Sequence, residues 1–316
     1  MKRIAATVLC MIGAFSAGCQ PAAKVTIRVA DDAGNPLADS SVRVSFEQLN
    51  NPNRKTVVAG ATDSAGLFTA TSRTSGFVLI LAEKAGYYES RAKWQPAGGE
   101  ESGRYLPWNP TIGITMRQIV NPTPLLLKSV ELRGVSNVAK ASFDVVVGDW
   151  VQPHGRGIIG DLLFEWEGNW RGVDDREAML TLRFANAGDG ILERQLTPLI
   201  EGEFRLPHEA PMEGYRDQKI WREIFKNPTA VKSRIEQSDL RSDIGYFFRV
   251  RSRQGGNDNE RGQLYGKMEG DVTFFGAGKR GSGLRFKYYL NPTPNDRNLE
   301  YDGTNNLFEV RQPAGR

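Results

Sequence analysis

Apolar and polar positions alternate with a period of two along the first third of the chain. Val25, Ile27 and Val29 point one way while Lys24, Thr26 and Arg28 point the other, and Val42, Val44 and Phe46 repeat the pattern. That period predicts half-buried strands. Residues 77–81 form a continuous apolar run that suits a central strand, and residues 31–36 and 62–66 supply the Asp, Asn, Gly and Pro of turns between strands. Short strands punctuated in this way predict an antiparallel β-sandwich over residues 24–117.

Residues 118–316 read as a second, mostly antiparallel β domain of sandwich or jelly-roll type. Strands are expected over 142–147, 160–166, 179–184 and 283–290, and the polar loop 255–260 is flanked by two strand-like runs, as in a long hairpin. Gly276, Gly281 and Gly283 surround Lys279-Arg280 but lack phosphate-loop spacing, so they predict a hairpin turn. Only 217–238 has helical character, interrupted by Pro228. The fold class expected is all-β, with the joint near Asn121-Pro122-Thr123-Pro124, where successive X-Pro units keep the chain extended.

Composition narrows the functional classes. Of 316 residues 40% are hydrophobic and 25% charged, which suits a globular protein, and a formal charge of +4 is too small to imply a nucleic-acid partner. Lys2 and Arg3 precede an apolar run, residues 4–18, that is shorter than the ~20 residues of a membrane-spanning helix. Residues 1–18 therefore read as an export signal peptide. Its end, Ser16-Ala17-Gly18-Cys19, resembles the lipobox of bacterial lipoproteins, although Ser16 stands where that motif usually has Leu. The resemblance implies that Cys19 is lipidated and becomes the N-terminus, with Gln20 directing the protein to the outer membrane. The alternative is an ordinary signal cleaved nearby and a secreted product. With cleavage before Cys19 the net charge falls to +2, and the loss of Cys10 leaves no disulfide within the chain.

A second resemblance rests on Val29, Asp32, Gly34, Pro36, Leu37, Val42, Val44, Thr62-Asp63, Gly66, Phe68, Lys84, Gly86 and Tyr87. Their order is similar to that of the carboxypeptidase regulatory-like domain, a prealbumin-like β-sandwich. The resemblance covers the first third of the chain and implies a fold, with no chemistry attached. Residues 148–157 and 288–302 look similar to segments of uncharacterised secreted proteins of environmental bacteria carrying that module.

Candidate chemistry is sparse. Asp149, Trp150, His154 and Arg156 lie in a Gly/Pro-rich stretch and are the expected ligand-binding residues, while bracing of their own loop is the competing reading. Tyr87, Tyr88 and Trp94 would form a sugar platform or, as strand aromatics, pack against the neighbouring domain. With two His in the chain and no HExxH or GxSxG, zinc-protease and hydrolase motifs have no support. Asn298, Glu300, Asp302, Thr304 and Glu309 fall at calcium-loop spacing, but the same stretch also reads as a Gly–Asn turn between two closing strands, with Pro313 leaving no room for an exiting helix.

The leading expectation is a non-enzymatic, lipid-anchored cell-envelope protein. Its sandwich would act as spacer or adhesive module and its second domain would present a glycan- or protein-binding surface. A carbohydrate-active hydrolase using carboxylates of the second domain, and a structural subunit of a surface assembly, are the alternatives. Two convergent acids in a cleft would favour hydrolysis, and a flat aromatic or polar face would favour binding.

Overall fold

The computed structural model describes residues 20–48, 51–196, 205–227, 235–252, 262–275 and 278–310. Residues 1–18, expected to be a signal peptide, and Cys19 lie outside the described residues. The chain divides into two compact units, Met1–Ala85 with Glu89–Met116 and Gly86–Tyr88 with Arg117–Arg316. No helix among the described residues is long and apolar enough to cross a membrane.

In the first unit the alternating stretches are strands. They are β1 (Ala22–Ala30), β2 (Ser41–Gln48), β3 (Asn51–Ala61), β4 (Leu67–Arg73), β5 (Val78–Glu83), β6 (Ser90–Trp94), β7 (Glu100–Glu101), β8 (Arg104–Tyr105) and β9 (Thr111–Thr115). One sheet has the order β4-β1-β8-β7 with β9 on β1; the other has the order β3-β2-β5-β6. The β1–β9 pairing is parallel, so the sandwich is not antiparallel throughout. Val25, Ile27 and Val29 of β1, Val42, Val44 and Phe46 of β2, and Val78 and Ala82 of β5 are fully buried. Asp31 and Asp63 build matching turns: Asp31 Oδ1 accepts the N–H of Ala33 and Asn35, and Asp63 Oδ1 accepts those of Ala65 and Leu67. Gly66 closes the second turn at φ +72°, where a Cβ would lie 2.4 Å from the Val29 carbonyl oxygen, so only glycine fits.

The second unit contains β10 (Leu126–Val135), β11 (Val138–Asp144), β12 (Asp149–Trp150), β13 (Leu162–Gly172), β14 (Asp175–Phe184), β15 (Gly190–Gln195), β16 (Gln218–Lys226), β17 (Ile235–Ser238), β18 (Ile244–Val250), β19 (Leu264–Met268), β20 (Thr273–Phe275), β21 (Ser282–Asn291) and a one-turn α1 (Leu307–Val310). Its two sheets have the orders β10-β21-β19-β18-β15, with β20 on β21, and β12-β11-β13-β14-β16-β17. The fold is all-β, and the expected hairpins β18–β19 and β20–β21 are antiparallel pairs.

Two expectations are corrected. Residues 217–238 supply strands β16 and β17 rather than a helix: Trp221 faces Leu180 across β14 and is fully buried. Among the described residues no closing strand follows Asp302; the turn there leads into α1.

The core between these sheets is aromatic. Phe143 meets Trp150, Phe286 and Tyr288 edge-on, with ring centroids 5.1, 5.4 and 5.7 Å apart. Edge-to-face packing aligns the positive rim of one ring with the negative face of another.

Candidate ligand-binding cleft

The segment from Asp144 to Asp161 joins β11 to β13 and contains the four residues expected to bind ligand. Asp149 braces this loop: Oδ1 accepts the N–H of Trp150 at 2.8 Å and Oδ2 that of Arg156 at 3.0 Å. The bracing requires glycine at 155, where a Cβ would meet Asp149 Oδ1 at 2.6 Å. Trp150 is only 5% exposed and packs against Phe143, Phe164 and Phe286, so its ring forms core and offers no face to a ligand. His154 and Arg156 stay on the exposed side of the loop. Tyr88 is likewise buried, its hydroxyl donating to Glu300 Oε1 at 2.9 Å, which removes it from any sugar platform.

Residues absent from those expectations converge at the same end of the unit. Arg251 follows β18 at φ +61°, held there because Asp189 accepts the N–H of Arg251 at 3.0 Å and of Ser252 at 2.7 Å. This sparsely populated backbone region takes Arg251 out of the strand path. Its Nε and Nη2 pair with both oxygens of Asp161 at 2.9 and 3.0 Å, and Nη2 also reaches Asp144 Oδ1 at 2.9 Å. The two carboxylates are 1% and 0% exposed. One shared nitrogen puts them within about 6 Å of each other, close to the ~5–5.5 Å of a retaining glycosidase pair.

Backbone N–H groups take up the remaining lone pairs of Asp144 and one of Asp161. Asp144 Oδ1 accepts the N–H of Val146 and Val147, its Oδ2 accepts those of Ile158 and Ile159, and Asp161 Oδ2 accepts that of Val145. Burial pushes the Asp144 carboxyl up, but the N–H groups of Ile159, Val147 and Ile158 and the Arg251 charge outweigh it, and the group sits below the ordinary carboxylate range. Burial dominates at Asp161 and raises it despite Arg251. Buried acids bonded in this way fix a loop and orient a guanidinium; a general acid or base needs a lone pair or proton within reach of substrate.

Above the guanidinium lies a cleft of about 300 Å³. Val146, Ile159, Leu264, Pro292 and Pro294 supply its apolar wall, and Arg251 and Asn186 its polar groups. Exposed Val147, Ile158 and Ile159 belong to the loop along its rim. Pro292 and Pro294 leave β21 through a turn fixed by Asn291, whose Nδ2 donates to Asp296 Oδ2 and the Asn298 carbonyl while its Oδ1 accepts the Thr293 N–H. Of the two segments 148–157 and 288–302, the second thus borders the cleft through these prolines, while the first lies between Val146 and Ile159, the cleft residues of the loop after β11.

The calcium-spaced residues do not converge. Asn298 Oδ1 accepts the Glu300 N–H, and the Glu300 carboxylate accepts the N–H groups of Val120 and Asn121 as well as the Tyr88 hydroxyl. Asp302 caps its own turn through Thr304 and Asn305, and Glu309 accepts from Asn306. Among the described residues no group of three or more His, Cys, Asp or Glu is placed to hold a metal.

No protein family and no curated protein matches the chain. Among solved structures it is similar to 3-chlorocatechol 1,2-dioxygenase from Rhodococcus opacus 1CP, at 12% identity and a TM-score of 0.26, over 32% of this chain and 61% of the enzyme. It is also similar to the shaft pilin SpaA from Lactobacillus rhamnosus GG, at 15% identity and 0.22, over 54% and 89% of the two chains. A third is a candidate carbohydrate-binding protein from Bacteroides uniformis ATCC 8492, at 11% and 0.20, over 86% and 99%. The chain spans about three fifths of the dioxygenase it matches. Likenesses of this size say nothing of function.

Proposed function

We propose that this is an exported cell-envelope protein, anchored through lipid on Cys19, whose second unit binds a glycan in the Arg251 cleft without turning it over. The first unit serves as a spacer or adhesive module. One observation carries the reading: a guanidinium held by two buried carboxylates in the lining of a largely apolar cleft. Small-ligand sites combine apolar walls with a few fixed polar groups, and about 300 Å³ lies at the lower end of their ~300–1,000 Å³ range. Pre-orientation by folding lowers the ordering cost that binding would otherwise carry. The burial of both acids and their engagement with Arg251 and the loop amides support holding a sugar over cleaving it.

A glycan array probed with the chain from Gln20 onward tests the reading, with Ile159→Trp filling the cleft as control. Binding abolished by Ile159→Trp is the expected result. Binding indifferent to that variant, or steady turnover of a polysaccharide or cell-wall fragment, would overturn it. Labelled palmitate is expected to enter the full chain and to be lost in Cys19→Ala.

A further inference from the structure

The polar atoms left over in the cleft are selective. Arg251 commits its Nε–Nη2 edge to the two acids, and among the described residues Nη1 takes part in no hydrogen bond. Two N–H donors therefore remain on a group that lines the cleft. Asn186 gives Nδ2 to Asp189 Oδ2 at 2.7 Å, and its Oδ1 takes part in no hydrogen bond among the described residues. The cleft thus offers a fixed donor, an acceptor and an apolar wall within one small volume.

We propose that the cleft recognises a neutral secondary amide, and specifically the acetamido group of an N-acetylated sugar; this rests on reading the cleft as a glycan site. The acetamido carbonyl accepts from Arg251 Nη1, its N–H donates to Asn186 Oδ1, and its methyl packs on Val146, Leu264 and the prolines. Anionic sugars fit less well, because the guanidinium already pairs with both Asp144 and Asp161, and Asp189 lies beside it on the backbone N–H groups of Arg251 and Ser252, so acids outnumber this one cation. A peptide amide is disfavoured by position: the cleft lies at the ends of β18, β19 and β21, which are interior strands of their sheet, so among the described residues they offer no free edge to an extended chain.

Calorimetry on the chain from Gln20 onward distinguishes the outcomes, with a pentamer of N-acetylglucosamine, cellopentaose and an acetylated tetra-alanine as probes. The acetylated sugar is expected to bind at least ~10-fold tighter than cellopentaose, with that preference lost in Asn186→Ala, since a desolvated donor left without a partner costs about that much. Equal binding of both sugars, abolished by Ile159→Trp, would overturn the amide assignment and leave the glycan reading standing. Equal or tighter binding of the peptide would overturn the sugar assignment. No binding of any probe, or sugar binding unaffected by Ile159→Trp, would overturn both. Asn186 is exposed but also donates to buried Asp189, so a thermal melt checks that Asn186→Ala stays folded, and unchanged cellopentaose binding checks that Arg251 stays in place.

Discussion

Replacing Arg251 with Met tests the clamp most directly. Met keeps an unbranched stem as far as the Nε position, but three charge-assisted hydrogen bonds of 2.9–3.0 Å disappear. Asp144 keeps four backbone N–H donors, whereas Asp161 keeps only that of Val145. Removing one partner of a buried pair costs ~3–5 kcal/mol, and the backbone donors on Asp144 place the expected loss near the lower figure, about 3 kcal/mol at neutral pH. Asp161 can escape by taking a proton. Its folded pKa is already raised by burial, and without Arg251 it rises further. A carboxyl raised in the folded state stabilises below its unfolded pKa, and that contribution is lost as pH climbs through the folded value. The deficit of Arg251→Met should therefore grow with pH by up to ~1.4 kcal/mol per unit across that window. Urea unfolding at pH 5 and 7.5 measures this, with buried Trp150, Trp166 and Trp221 as fluorescent reporters of the second unit. Adding Asp161→Asn should return at least ~1 kcal/mol to Arg251→Met, because the uncompensated charge is then gone. A loss under ~1 kcal/mol, or the same loss at both pH values, would refute the electrostatic account.

Three further outcomes follow from the geometry. Trp150→Ala should cost ~3–5 kcal/mol in a denaturant melt, as a buried aromatic truncation does, whereas a ligand platform would lose binding and keep its stability. Gly66→Ala should destabilise the first unit by more than ~1 kcal/mol, since the added Cβ meets both a positive φ and the Val29 carbonyl; hydrogen exchange at the β1 amides reads the loss. Thermal unfolding should be the same with calcium as with chelator. A calcium-dependent rise of several degrees would mean that Glu300 and Asp302 leave their backbone partners to form a metal site.

Much of the architecture was legible because one face of each strand is buried. In β1 and β2 every inward residue is apolar, so period two stands out. In β16 it does not: Trp221 faces the core while Ile220 and Ile224 point away from it, giving apolar residues at 220, 221, 224 and 225, a spacing that mimics a helix turn. The site was legible only at its borders. Arg251 meets its two acids across 107 and 90 residues, and no local pattern encodes a partner that distant. The one available signal was Asp144, an acid between buried Phe143 and Val145, since a charge inside an apolar run needs a fixed partner elsewhere.

Arg251 also separates this cleft from the acid–base geometry it resembles. Two carboxyls this close, one raised and one lowered, are the arrangement that lets a single site supply both an acid and a base. Here the guanidinium occupies the space between them, and the loop amides hold what remains. The same bonds that close the loop between β11 and β13 aim Nη1 outward, so fold and recognition draw on one set of contacts. Substitutions at Asp144 or Asp161 should accordingly lower stability and affinity together, whereas substitutions at exposed Asn186 should lower affinity more than stability, giving up one hydrogen bond to Asp189.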